Sequence, residues 1–527
     1  MALRVSPGAG ENQPPPLEGY DLFSVNRPLA EALEREGGGA WEARARELGR
    51  LLGGEPLEWG RLANEHPPTL HTHDRFGNRI DEVEFHPAWH RLLELGVTNG
   101  LHALPWREPE PGAHVARAAL FVTLSQVEAG VGCPLSMTAA AVPALRAEPA
   151  LAAEWEPRLT SLAYDPGLRP AAAKAGALCG MAMTERQGGS DVRANTTRAR
   201  PDGDGWLLDG HKWFCSAPMS DAFLVLAQAP DGLSCFLVPR VNEDGERNGI
   251  RLERLKDKLG NRSNASAEIA LESASAWLVG EEGRGVPTIL EMVVQTRLDC
   301  VLGSTALMRR AVAEATHHAA HRAAFGRQLV DQPLMANVLA DLCVESEAAT
   351  VTAIRLARAF DEGGPFRRLA TAVAKYWVCK ATPPLVAEAL ECLGGNGFVE
   401  ESGMPRLYRE SPLNSIWEGS GNVIALDVLR AIDREPESLE AFLAELEPEP
   451  RAHAEAALAD ADQPGARRLV EALATALQAS LLLRHAPSEA ADAFVATRLR
   501  GDRGRAYGTL PRGLAVDAIV DRHRPRL

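Results

Sequence analysis

Four clusters in this 527-residue chain combine residue types and spacings that could do chemistry. The first is Met183-Thr184-Glu185-Arg186-Gln187-Gly188-Gly189-Ser190-Asp191-Val192. Paired glycines let backbone N–H groups come close to a bulky ligand, and Thr184 and Ser190 offer hydroxyls to heterocycle edges or phosphate oxygens. A bare hairpin turn accounts for the same residues. Further on, Trp213 and Ser216 set an indole near a hydroxyl, which suits covering a flat ring system and equally suits core packing. The second cluster is Arg322-Ala323-Ala324-Phe325-Gly326, followed by Gln332. A guanidinium pairs with phosphate in a fork and a phenyl ring stacks on adenine. Upstream, His317 and His321 share a helical face beside His318, but no third metal ligand joins them, so they read as helix residues and no metal is expected.

The third cluster, Glu391-Cys392-Leu393-Gly394-Gly395-Asn396-Gly397-Phe398, looks like a nucleotide-binding glycine loop. It follows a helical segment rather than a strand, so the Rossmann reading fails its context, and a tight helix-ending turn is the alternative. The fourth is Ile416-Trp417-Glu418-Gly419-Ser420-Gly421-Asn422. A carboxylate among apolar and aromatic neighbours can serve as a general base if desolvation raises its pKa. The same Glu418 would also suit the positive end of the helix that follows.

The elements that must position these clusters change along the chain. Residues 1–40, with Pro14 to Pro16 and Gly37 to Gly39, read as an irregular arm. Residues 41–179 carry helical periodicity. Residues 180–285 switch to short β-prone runs such as Phe223-Leu224-Val225-Leu226, separated by turn signals such as Asp231-Gly232, and predict an antiparallel β domain. Long helical periodicity returns over 286–437, with Pro333 and Pro383-Pro384 as punctuation, and residues 438–527 read as a further helical domain after an acidic, Pro-rich stretch. The whole is an α+β, mostly α, subunit with a β module between helical blocks.

Composition narrows the function. No apolar run is long enough to span a bilayer, and the start lacks the order of a secretory leader, so a cytoplasmic protein with no membrane partner is expected. Eight widely spaced cysteines without a C-x-x-C pair fit reduced thiols. The net charge of -15 argues against a nucleic-acid binder coated in positive potential. The distribution is uneven, however. Residues 438–497 hold 4 Arg against 10 acidic residues, whereas 498–527 hold 8 Arg, among them Arg498, Arg500, Arg503, Arg505 and Arg512, against 3 Asp. Only that last stretch has the sign for phosphate contacts, and a mixed-charge solvated tail is the plainer account of it.

The four clusters in this order resemble the acyl-CoA dehydrogenase family over roughly residues 41–432, supported by Lys258-Leu259-Gly260-Asn261-Arg262-Ser263 and Gly280 to Gly285. Within it the chain looks closest to the AidB-type, alkylation-response branch, a likeness that takes in Asn12-Gln13-Pro14 and Arg406 to Glu410. The resemblance implies FAD. Met183, Thr184, Gln187, Gly188, Gly189 and Ser190 would line the flavin, with Trp213 and Ser216 on its ring system. Arg322, Phe325, Gln332, Glu391 and Gly395 would reach the FAD of a neighbouring subunit, which implies a homotetramer. Trp417, Gly419, Gly421 and Asn422 would close over the cofactor, and Glu418 would be the catalytic base. Glu391 stands where the wider family has Gln, and Trp417 where Tyr is commoner, so weak turnover of small, isovaleryl-like acyl thioesters is implied. The branch further implies double-stranded DNA held by the C-terminal domain, or alkylating agents as substrates. The alternative is a true dehydrogenase of branched or short acyl thioesters without a DNA role.

Overall fold

The computed structural model describes residues 12–526, so residues 1–11 of the expected arm lie outside the described residues. Its contacts divide the chain into two compact units, one of Met1–Glu55, Pro111–Gln126 and Cys300–Leu527, the other of Pro56–Glu110 and Val127–Asp299.

The second unit, called here the β unit, begins with helices and one hairpin that helical periodicity did not predict. Strands β1 (Thr69–His73) and β2 (Arg79–Glu84) pair antiparallel. The turn between them is fixed locally: Asp74 accepts backbone N–H groups from Phe76 and Asn78, and Gly77 supplies φ +86°. Helix Gly132–Leu145 is buried on nearly every face, which explains its almost uninterrupted apolar sequence. The main sheet contains β3 (Cys179–Ala182), β4 (Arg198–Asp202), β5 (Gly205–Ser216), β6 (Ala222–Ala229), β7 (Gly232–Pro239), β8 (Ile250–Leu255) and β9 (Ser266–Leu278), ordered β3-β6-β4-β5-β9-β7, with β8 also on β9. A β6–β7 pairing folds this order back on itself. Most pairings are antiparallel, as expected, but β6 meets β3 and β4 in parallel. Alternate residues Phe223, Val225 and Ala227, Ile250 and Leu252, and Ala267, Ile269 and Leu271 turn to one core.

The first unit, the helical unit, is built on helices Pro333–Glu362, Phe366–Cys392, Gly421–Arg434 and Ala466–His485, with the C-terminal part of Gly285–His321. Pro383 and Pro384 do not punctuate as expected; they lie inside Phe366–Cys392, where the Thr382 hydroxyl just before them donates to Val378 O at 2.8 Å. Nor is the described part of the arm loose. Leu17, Tyr20, Leu22 and Phe23 are buried, because Arg309 inside the unit donates to Val25 O at 3.1 Å and to His523 O at 2.8 Å, tying both ends of the chain to one guanidinium. The last ninety residues belong to this same unit, with Ile519 and Val520 of helix Val516–His523 buried.

Candidate functional site

In the β unit, Met183 to Ser190 follow β3 directly, and Glu185 and Gly188 close a tight turn by exchanging backbone hydrogen bonds. The turn is anchored from beneath. Glu185 is buried, with its carboxylate 2.7 Å from Lys212 Nζ, and it accepts N–H groups from Thr196 and Thr197 at 2.6 and 3.1 Å. Burial alone would push this carboxyl up, but the ammonium and the backbone donors outweigh it and hold it well below the usual carboxylate range. Gln187 spends its amide on Glu185 and on Ala194 O. Gly189 lies so close to Thr184 that a Cβ there would sit 2.6 Å from Oγ1. Trp213 N donates to Thr184 O at 2.8 Å, so the indole and the glycine turn form one group, and Ser216 Oγ lies 3.3 Å from Ser266 Oγ on β9. The indole is half-buried, with Lys256 Nζ 3.4 Å from the ring centroid. Hydroxyls, close-lying glycine backbone and a partly open aromatic face suit a flat, polar-edged ring system, so the residues fit FAD.

In the helical unit, Ala323–Ala324 (β10) and Arg327–Gln328 (β11) form a miniature hairpin with Phe325 and Gly326 at its tip. Both tip residues have positive φ, 52° and 79°, which fits a turn of the I′ kind, and the Phe325 ring stands 98% exposed. Arg322, behind the tip, donates to Asn12 O at 2.5 Å, Asn12 exchanges two further bonds with Ala323, and Gln332 donates to Ala324 O. Asn396 donates to Gln13 at 3.4 Å, so the two arm residues link the hairpin to the glycine turn. Gly394 N bonds to Glu391 O at 2.8 Å, and the turn does end its helix; Glu391 and Gly395 are exposed there.

Glu418 sits in a loop whose backbone is held unusually. Its φ is +57° and that of Gly419 is +104°. A left-handed glutamate is uncommon and needs the surroundings to impose it. Lys375, 1% exposed on helix Phe366–Cys392, does so: its Nζ donates to Trp417 O at 2.9 Å and to Gly419 O, gripping the chain on both sides of Glu418. Trp417 Nε1 donates to Asn414 Oδ1 at 2.9 Å, and Asn414 Nδ2 donates to Ser304 Oγ at 3.1 Å. Gly421 opens helix Gly421–Arg434 against Lys380, whose Cε would lie 2.7 Å from an added Cβ, and Asn422 beside it is exposed.

The C-terminal arginines are largely neutralised. Arg498 is not a surface residue: its side chain is 5% exposed between Asp341 at 2.5 Å and Glu345 at 3.2 Å, so it cannot reach a phosphate and is corrected to a buried structural ion pair. Arg500 pairs with Glu449, Arg522 with Glu31 and Glu347, and Arg524 and Arg526 with Asp521. Arg503 is half-buried beside Tyr507, while Arg505 and Arg512 are exposed. His317 and His321 bond to the backbone oxygens of Pro15 and His317. Among the described residues there is no metal-holding cluster of His, Cys, Asp or Glu, and no helix is long and apolar enough to cross a membrane.

A helical bundle and a β module whose strand order folds back on itself are the parts of an acyl-CoA dehydrogenase-like fold. Residues 12–166 match the adaptive response protein AidB N-terminal domain, 180–274 the acyl-CoA dehydrogenase middle domain and 283–432 the acyl-CoA dehydrogenase C-terminal domain. The AidB protein of Escherichia coli (strain K12), named as an acyl-CoA dehydrogenase, is 52% identical over 80% of each chain. Acyl-CoA dehydrogenase family member 11 of Caenorhabditis elegans is 33% identical over 75% of this chain and 67% of its own. The crystal structure of Caenorhabditis elegans ACDH-11 in complex with C11-CoA has a TM-score of 0.82 at 27% identity, covering 99% of this chain and 93% of that one. Butyryl-CoA dehydrogenase of Megasphaera elsdenii, at 20% identity and a TM-score of 0.60 over 79% of this chain and 99% of its own, shares the fold. The chain belongs to the acyl-CoA dehydrogenase family, and its N-terminal domain is of the AidB type. Members of this family are FAD-dependent flavoproteins, and FAD is the cofactor of this chain.

Sequence reasoning missed Glu185, Lys212, Lys375 and the Asn12-Gln13 bridge as working parts. One signal was available. Only six of 56 basic residues are Lys. Four of them, Lys212, Lys256, Lys375 and Lys380, now stand in or against the site clusters. Where a chain otherwise uses Arg, a retained Lys marks a place for a compact ammonium that a planar fork cannot fill.

Proposed function

We propose that this protein is an FAD-dependent acyl-thioester dehydrogenase of the DNA alkylation response, with low turnover of short or branched acyl chains. The observation that carries the reading is the clamped Glu418, held between two peptide groups that Lys375 fixes. FAD, when bound, supplies the hydride acceptor. Glu418 takes the α-proton of the thioester, and the Lys375 grip keeps that carboxylate from swinging with its loop. Trp417, braced by Asn414, bounds the acyl pocket on the side of the base and favours small chains. Asn12, Gln13 and Arg322 hold Phe325 outward, and an apolar ring at 98% exposure, with Phe398 at 81%, supports contact with a second copy in a homotetramer. In anaerobic mixing, isovaleryl-CoA should bleach the flavin absorbance; a spectrum unchanged by any short or branched thioester would refute the reading.

A DNA role rests on the kinship with AidB and on Arg505 and Arg512, two exposed arginines of the terminal stretch. Removing residues 498–527 would also strip the buried Arg498 and His523, so point substitution is the proper test. Arg505→Ala with Arg512→Ala should weaken salt-sensitive duplex binding with melting unchanged. Unaltered retention, with brisk thioester turnover, would instead favour a catabolic dehydrogenase without a DNA role.

A further inference from the structure

A second charged site lies in the β unit, built from residues that none of the four clusters contains. A cavity of about 190 Å³ is lined by Arg79, Asp81, Arg240, Arg247, Asn248 and Arg251, with Ile250 at its side. That is well above the roughly 10–15 Å³ that one water requires by the same measure. Four guanidinium groups line it with the carboxylate of Asp81, and Glu82, Glu253 and Glu272 reach the outer three of them. Arg79 is committed to Asp81 at 2.8 Å, and at the rim Arg247 and Arg251, 37% and 40% exposed, are held by Glu82 and Glu272.

Arg240 differs from these three. It is 5% exposed and, among the described residues, has no carboxylate within ion-pairing distance; Nη2 donates to Asp81 O at 3.1 Å, while Nε and Nη1 are buried with no hydrogen-bond partner among those residues. Burial above all, and also Arg247, disfavour its charge and lower its pKa against the opposing pull of Cys215, Asp81 and Asp221. Two unmet donors on a desolvated cation are costly unless something fills the cavity. The backbone that shapes the pocket is itself constrained: Asp81 has φ +42°, and Asn248 is locked by bonds to Pro239 O and Ser275 O.

We infer that this cavity binds a tetrahedral oxyanion, a phosphate group either free or esterified, with Arg240 as its buried anchor and Arg247 and Arg251 as its mouth. Nothing in this depends on the reaction at Glu418.

The test uses the full-length, FAD-loaded protein and titrates inorganic phosphate by calorimetry at fixed ionic strength, chloride making up the balance. Saturable binding of one phosphate per chain is expected, lost in Arg240→Met and weakened roughly tenfold or more in Arg247→Ala and in Arg251→Ala. Because Arg240→Met can alter folding, far-ultraviolet circular dichroism accompanies it, and the two rim variants decide the matter if it misfolds. Methyl phosphate and dimethyl phosphate in parallel separate the sources: binding of the first alone supports a free phosphate or monoester, and equal binding of the second supports a diester. Absence of saturable binding for all three, or affinity unchanged in both rim variants, would overturn the site.

Discussion

Each unit sets a buried lysine against a glutamate loop, and the two use it in opposite ways. In the β unit, Lys212 meets the carboxylate of Glu185 itself, with both side chains fully buried. In the helical unit, Lys375 bonds to the carbonyls on either side of Glu418. The first arrangement spends the carboxylate: an anion fixed by an ammonium and by two backbone N–H groups has no reason to take a proton. The second fixes the backbone through the carbonyls on both sides of the glutamate. A loop held rigid on both sides of its glutamate is what a general base at Glu418 would require.

The sharpest way to break the contrast is to remove each carboxylate. Glu418→Gln should lower thioester turnover by about 10³-fold while leaving urea stability nearly unchanged. Glu185→Gln should do the reverse, costing about 3–5 kcal/mol of stability because Lys212 is left charged and buried without its partner. Glu185→Leu combined with Lys212→Met should recover much of that loss, since the desolvation penalty goes with the pair. If the double variant is as unstable as the single, Glu185 acts through its bonds to Thr196 and Thr197 instead.

Next comes the grip itself. Lys375→Met leaves the base in place but frees two carbonyls and the left-handed turn, so kcat should fall about 100-fold with the acidic limb of its pH profile retained. Glu418→Gln, by contrast, removes that limb. A Lys375→Met enzyme with full kcat would reduce the clamp to a packing contact.

How much of this was legible in the sequence follows from the range of each interaction. Runs such as Phe223 to Leu226, now on β6, and the long helices were readable because their pattern is local and, in the helices, repeats over many residues. The β1–β2 hairpin was not, since it hangs on one aspartate accepting two N–H groups in a polar stretch. The family likeness placed Glu418, Trp213 and Phe325, but it said nothing of Lys375 or Lys212, whose partners lie 42 and 27 residues away. Charge counting failed most clearly at Arg498: it counted toward a stretch with the sign for phosphate contacts, and folding spent it on Asp341 and Glu345. Net charge along a chain carries no information about which cations remain unpaired.

The smallest effect separates the units by acid. The depressed carboxyl of Glu185 contributes stability that is present above the ordinary glutamate range, near 4.5, and is lost only as pH falls below it toward the folded value. His318 behaves otherwise. It is buried at the end of helix Gly285–His321, where the helix dipole favours a cation, yet burial first, then Arg322 and His317, pull its pKa down to about 4. A histidine whose folded pKa lies below its unfolded value holds its stability above about 6.5 and loses it as pH falls toward 4, because the unfolded chain takes the proton first. Between pH 7 and 5 this group alone should cost about 2 kcal/mol, while the Glu185 pair costs almost nothing. Urea unfolding of wild type and His318→Leu across that range isolates it: the variant's stability should fall less steeply by about that amount. Equal slopes would place the acid sensitivity of this unit elsewhere, on His317 first, whose pKa burial also lowers.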